Sequence, residues 1–155
     1  MNVANEALIR DLYTAMASRD AAAMATCYAP DAHFSDPVFP DLKGAEIGAM
    51  WAMLCTRAKS LKVALVEVDA GDNEGHARWE AIYPFSKTGR MVHNRIAARF
   101  VIRDGKIVEH RDDFPLWRWT RMALGLKGVL LGWLPPVQSA IRREAAKSLA
   151  EFMAR

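Results

Sequence analysis

Four strand-like segments separated only by short turn signals set the limits on what this chain can fold into. Lys62 to Asp69 is followed by Gly-Asp-Asn-Glu-Gly, His76 to Ser86 by Lys-Thr-Gly, and Met91 to Arg103 by Asp-Gly, with Lys106 to Phe114 closing the series. Connections this short join antiparallel neighbours, because a parallel pair needs a crossover of a dozen residues or more. The segments predict an antiparallel meander. Helical periodicity precedes them, so the order is α+β and a doubly wound sheet is excluded.

Three helices are expected before the meander. Leu8, Leu12, Ala15 and Met16 repeat at helical spacing from about Asn5 to Ser18. Asp20 caps a short second helix that carries Met24, Cys27 and Tyr28 and ends at the breaker pair Pro30-Asp31. A brief strand, Ala32 to Ser35, leads into a loop forced by Pro37 and Pro40. The third helix, about Ala45 to Lys59, gathers Ile47, Met50, Trp51, Leu54 and Ala58 on one stripe, as in a helix lying on a sheet.

At 155 residues with 52% hydrophobic and 25% charged side chains, the chain can bury a core of its own without disulfide or metal support. The two cysteines, Cys27 and Cys55, lie apart in apolar helical patterns and read as reduced core residues, which points to the cytoplasm. The histidines are scattered, no metal-ligand spacing occurs, and neither a phosphate-binding glycine loop nor a nucleophile elbow is present. No metal and no cofactor are expected.

The run AMASRDAAAMATCYAPDAHFSDPV, the following LKG and helix, and the later GRMVHNRIAARFVIRDGKIVEHRDDF resemble the nuclear transport factor 2-like superfamily, in particular its SnoaL-like branch. The likeness runs from about Asn5 to Phe114. It implies a cone-shaped, curved antiparallel sheet with helices packed on its concave face around a small-molecule pocket. Residues 1–114 would form that domain, and 115–155 a helical C-terminal extension packed on it. The superfamily holds ketosteroid isomerases, polyketide cyclases, limonene epoxide hydrolases and non-catalytic transport proteins, so fold alone does not decide function.

Asp36 in Ser-Asp-Pro-Val is the first candidate for chemistry. By resemblance it matches the general base of ketosteroid isomerase; taken alone, Asp-Pro is also an ordinary loop start. The other half of that enzyme is missing, because its helical tyrosine and strand carboxylic acid fall on Leu12 and Ala98, with Tyr13 one helical step away. On the last strand, alternation puts Val108, His110 and Asp112 on one face, which the resemblance turns toward the pocket. Asp112 also matches the terminal aspartate of limonene epoxide hydrolase, and His110 is placed to be held by it.

That hydrolase pairs its aspartates with an arginine, for which this chain offers Arg78 and Glu80 only if the next hairpin holds one extra residue. Without the insertion Trp79, Ala81, Tyr83 and Phe85 line the interior and the charged pair points out, the cheaper arrangement. Phe34, Trp51, Asn94, Ala98 and Tyr13 complete the expected binding wall. The ligand so described is a small apolar, oxygen-bearing molecule. Three readings stay open: a cofactor-independent isomerase, cyclase or epoxide hydrolase using Asp36, His110 and Asp112; a binding protein without turnover; and a dimeric interaction module.

Beyond Phe114 the chain predicts two more helices, one ending at glycine in LGLKG and one after Pro135-Pro136 with Val137, Ile141, Ala145, Leu149 and Phe152 on a stripe. The net charge of +3 concentrates here, at Arg118, Arg121, Lys127, Arg142, Arg143 and Lys147. Trp117, Trp119 and Trp133 are expected to pack over the pocket mouth or on a twin subunit rather than on a bilayer. Expected partners are therefore a second copy of the chain and the small molecule, with no nucleic acid and no membrane.

Overall fold

The computed structural model describes all 155 residues. Three helices come first, α1 (Val3–Ala17), α2 (Ala21–Thr26) and α3 (Ala45–Arg57), interleaved with strands β1 (Tyr28–Ser35) and β2 (Leu42–Lys43). The meander follows as β3 (Lys62–Ala70), β4 (Glu74–Pro84), β5 (Met91–Arg103) and β6 (Lys106–Asp113), and the tail folds as α4 (Leu116–Leu124), α5 (Leu126–Leu131) and α6 (Pro135–Met153). Asp20 caps α2 as expected, and Asn2, not anticipated, caps α1. Asn2 and Asp20 accept the amides of Asn5 and Ala23, each at 3.0 Å, which starts α1 and α2.

One curved, unclosed sheet in the order β2-β1-β6-β5-β4-β3 forms the body. Its meander is antiparallel as expected, but β1 runs parallel to β6, so the sheet is mixed. The whole stretch from β2 to β5 serves as the crossover between those two strands, a long-range pairing that leaves no local sequence signal. Tyr28 also departs from expectation. It begins β1 opposite Ile107 rather than ending α2, and Cys27 caps that helix instead.

Alternation along β5 is strict, with Val92, Asn94, Ile96, Ala98 and Phe100 buried and their neighbours exposed. Along β6 it is not. A register shift opposite Val101 and Ile102 lets Ile107, His110 and Asp112 all face inward, and Val108, assigned to that face by simple alternation, is only half-buried. The inner face packs on α1 and α3 in a single hydrophobic core. Gly44 enters α3 with φ +54, and a side chain there would meet the Pro30 carbonyl at 2.9 Å.

Candidate active site

Between α3, the inner face of β4 and β5, and the tail helices lies a cavity of about 480 Å³. Hydrophobic groups supply 19 of its 28 lining residues, so a ligand that fills it must be largely apolar. Aromatic side chains set its shape: Trp51 on α3, Trp79 and Tyr83 on β4, Phe85 after it, and Trp119 on α4. Trp119 crosses an edge-on Phe85 and donates its indole N–H to the Tyr83 hydroxyl at 3.0 Å. The far wall is α6, through Val137, Ile141 and Ala145. That helix is clasped at both sides, by Lys87 to Glu144 at 2.7 Å and by Arg142 to the Pro37 carbonyl at 2.9 Å.

Polar residues interrupt this lining: Lys87 and Glu144, which pair with each other at its rim, Arg57, Ser86 and Ser148, and, on or beside the sheet, Asp36, Asn94 and Asp112. Asp36 closes its own loop, with Oδ1 accepting the amides of Val38 at 2.7 Å and Phe39 at 2.6 Å. The loop role and the pocket role are thus compatible, because one oxygen serves each. Burial pushes the carboxyl up from its ordinary value to about 7; the Phe39 amide opposes this, the negative charge of Asp112 adds to it, and the Val38 amide opposes it again.

Asp112 is held from behind. Its Oδ1 accepts the Trp79 indole N–H at 3.3 Å and is 2.8 Å from Nε2 of His110, which is wholly buried. Nδ1 of His110 is 2.7 Å from the Tyr28 hydroxyl, which in turn accepts the Trp51 indole N–H at 3.1 Å. An indole only donates, so the Tyr28 hydroxyl accepts from Trp51 and keeps its own proton available to Nδ1; in that tautomer Nε2–H donates to Asp112 Oδ1. The chain Trp51–Tyr28–His110–Asp112 fixes one carboxylate oxygen. It leaves the other for the cavity.

The other expected site residues divide. Trp51 and Asn94 line the cavity, and the Asn94 Oδ1 has no hydrogen-bond partner. Phe34, Ala98 and His110 lie behind the wall, Phe34 packed edge-on against both Trp51 and His110. Tyr13 is also behind it. It packs on Trp79 and Phe100 with its hydroxyl unpartnered, on the buried side of α1 beside Leu12 rather than on a separate face. Burial first, then the charge of Asp112 and Tyr28, pushes the Tyr13 hydroxyl well up.

Arg78 and Glu80 point away from the cavity. Arg78 pairs with Glu67 at 3.4 Å on the outer face, and Glu80 with His93 at 2.6 Å and Arg95 at 3.3 Å. Sequence reasoning missed Tyr28; for α6 it gave the apolar stripe of Val137, Ile141 and Ala145 and a place over the pocket mouth without naming them as site residues. Nothing local marks Tyr28, whose partner is 82 positions away.

The raised Asp36 carboxyl has a measurable consequence for stability. Between about pH 4 and 7 the folded chain holds a proton at Asp36 that the unfolded chain has lost, so stability falls as pH rises through that window and levels off above it. The full shift sets a ceiling of about 4 kcal/mol, and water reaching the cavity brings the expected loss to roughly 1–2 kcal/mol. Asp36→Asn keeps an oxygen for both loop amides but cannot ionise. Urea unfolding at pH 4.5, 6 and 8 should show the variant gaining on the parent with pH; parallel profiles would contradict the burial argument.

The geometry has counterparts among known proteins. The sequence profile of the SnoaL-like domain matches residues 9–110. No curated protein sequence matches the chain. Among solved structures, a ketosteroid isomerase-like protein from Catenulispora acidiphila, in complex with trimethylamine, superposes with a TM-score of 0.69 at 15% identity, covering 83% of this chain and 97% of that one. An epoxide hydrolase of the limonene type from M. tuberculosis gives 0.66 at 15% identity over 83% and 96% of the two chains. A putative polyketide cyclase from Streptomyces antibioticus gives 0.60 at 20% over 70% and 89%. At these identities the structures share the fold, and the profile match over about two thirds of the sequence places the chain in the SnoaL-like domain family.

Proposed function

We propose that this protein binds a small, largely apolar, oxygen-bearing molecule in the cavity and moves a proton on it without a cofactor, in an isomerisation or cyclisation. The observation that carries this reading is the pair of carboxylates, Asp36 and Asp112, on the wall of one apolar cavity. With its carboxyl at about 7, Asp36 exchanges a proton near neutrality, which suits it to take one from carbon beside a carbonyl and return it elsewhere. Asp112 is the second carboxyl group, and His110, which does not touch the cavity, positions it. Asn94 adds a polar side chain to the same wall.

Epoxide hydrolysis of the limonene type is the weaker reading, because Arg78 and Glu80 face solvent on the opposite side of the sheet. Mass spectrometry of molecules copurifying with the chain comes first, followed by screening of polyketide and steroid-like ketones. With a substrate in hand, Asp36→Asn should lower kcat by ~10²–10⁴ while ligand affinity stays within a few-fold. Full turnover in that variant would remove Asp36 from the chemistry. Tight binding with no turnover in the parent would make this a binding protein instead.

A further inference from the structure

The tail helices place on the surface a patch that the cavity does not use. Leu126 is 73% exposed, Leu130 and Trp133 each 59%, and Val129, Leu131 and Trp117 are exposed beside them, all on α4, α5 and the turn that follows. Only Trp119 of the three tail tryptophans packs inward, so the expectation that all three cover the pocket mouth is corrected. The reason is spacing. Trp117 lies two residues, about 200°, from Trp119 on α4, and both exposed indoles are tied to α5 by hydrogen bonds, Trp117 to the Val129 carbonyl at 3.2 Å and Trp133 to that of Leu130 at 3.0 Å.

Close backbone contact holds α5 in place. A Cβ at Gly128 would meet the Thr120 carbonyl at 1.9 Å, so α5 lies directly on α4 with its leucines turned out. Charge says what the patch meets. From Phe114 to Arg143 the sequence contains no Asp or Glu but carries Arg118, Arg121, Lys127, Arg142 and Arg143. Arg118 is spent on the Arg95 carbonyl, whereas Arg121 lies over the Trp117 ring at 4.5 Å and Lys127 is exposed beside Leu126.

We propose that the α4–α5 surface docks this protein peripherally on an anionic lipid bilayer. Leucines enter the headgroup boundary, Trp117 and Trp133 sit at its level, and Arg121 and Lys127 meet lipid phosphates. Clustered aliphatic side chains with interfacial indoles and unopposed cations are the chemistry of such a surface, and the 30 positions from Phe114 to Arg143 supply no carboxylate to repel anionic headgroups. No helix of the chain is long and apolar enough to cross a membrane, so the contact is one-sided. The inference does not depend on the reaction in the cavity.

Flotation of the full chain with phosphatidylcholine vesicles, and with vesicles containing phosphatidylglycerol, tests it. Binding should appear with the anionic vesicles at low salt, shift tryptophan emission to the blue, and weaken at least tenfold as salt screens the cations. Leu130→Ser combined with Trp133→Ser should lower binding at least tenfold with the thermal midpoint unchanged, since both side chains are exposed. Lys127→Glu should weaken binding with the apolar patch intact. No flotation at low salt would overturn the proposal. So would flotation that survives the double variant, or a concentration-dependent dimer that the same variant dissolves, which would assign the patch to a second copy.

Discussion

Ending the chain at Phe114 should yield a protein that is largely insoluble or unfolded at room temperature. The tail contributes to the same core as the sheet: Leu116 and Trp119 on α4 and Leu149 on α6 are all buried within it. Each such side chain is worth about 1.5–3 kcal/mol when buried, so losing the three costs about 5–9 kcal/mol, comparable to the whole stability of a domain this size. Their removal also uncovers Tyr83, Phe85, Met53 and Leu54 along the cavity. Because the truncation deletes the exposed Leu126, Leu130 and Trp133 as well, loss of solubility would report the newly opened interior and not the surface patch. The soluble fraction and the urea midpoint of residues 1–114 are the measurements. A soluble fragment with the parent's midpoint would show that the tail is an appendage rather than a wall.

The parts of this architecture that are legible in the sequence are those written in short-range patterns. Turn signals located the four meander strands to within about two residues, and the stripe of Ile47, Met50 and Trp51 identified the face of α3 that meets the core. Apolar alternation on β4 also favoured the register in which Trp79 and Ala81 are buried and Arg78 is exposed, because hiding an unneeded charge pair is costly. What escaped is what depends on distant segments. The parallel pairing of β1 with β6, the bulge that lets both Ile107 and His110 face inward, and the seat of Tyr28 on His110 all arise from contacts across most of the chain.

The candidate site shows the same division. Its two carboxylates could be named from strand position and family resemblance, yet their roles could not be separated until their surroundings were known. Asp36 sits in a loop whose amides satisfy one oxygen, and desolvation governs its proton. Asp112 sits against two indoles' worth of hydrogen-bond network, reached directly from Trp79 and through His110 and Tyr28 from Trp51. A histidine two residues from an aspartate on a strand was expected to share the pocket with it. Instead His110 is packed against Phe100 at 4.3 Å between ring centres and reaches the cavity only through Asp112.

Replacing His110 by alanine should therefore damage both the fold and the site, and the two effects can be separated. The ring is completely buried among Phe34, Trp51 and Phe100. Its removal leaves a cavity, worth about 2–4 kcal/mol, and strands the Tyr28 hydroxyl and one Asp112 bond, worth a further 1–3 kcal/mol or so. A total loss of about 3–7 kcal/mol should appear as a lowered urea midpoint at pH 7. His110→Phe restores the bulk without the hydrogen bonds, so it should recover the packing share and still lose about 1–3 kcal/mol. The phenylalanine variant is the informative one for function, because a folded protein with Asp112 released from His110 tests positioning alone. Its kcat should fall and the pH profile of turnover should shift, with KM nearly constant, since the ring never lines the cavity. If His110→Phe instead turns over like the parent with an unmoved profile, the buried histidine is a packing residue and Asp112 does its work unaided.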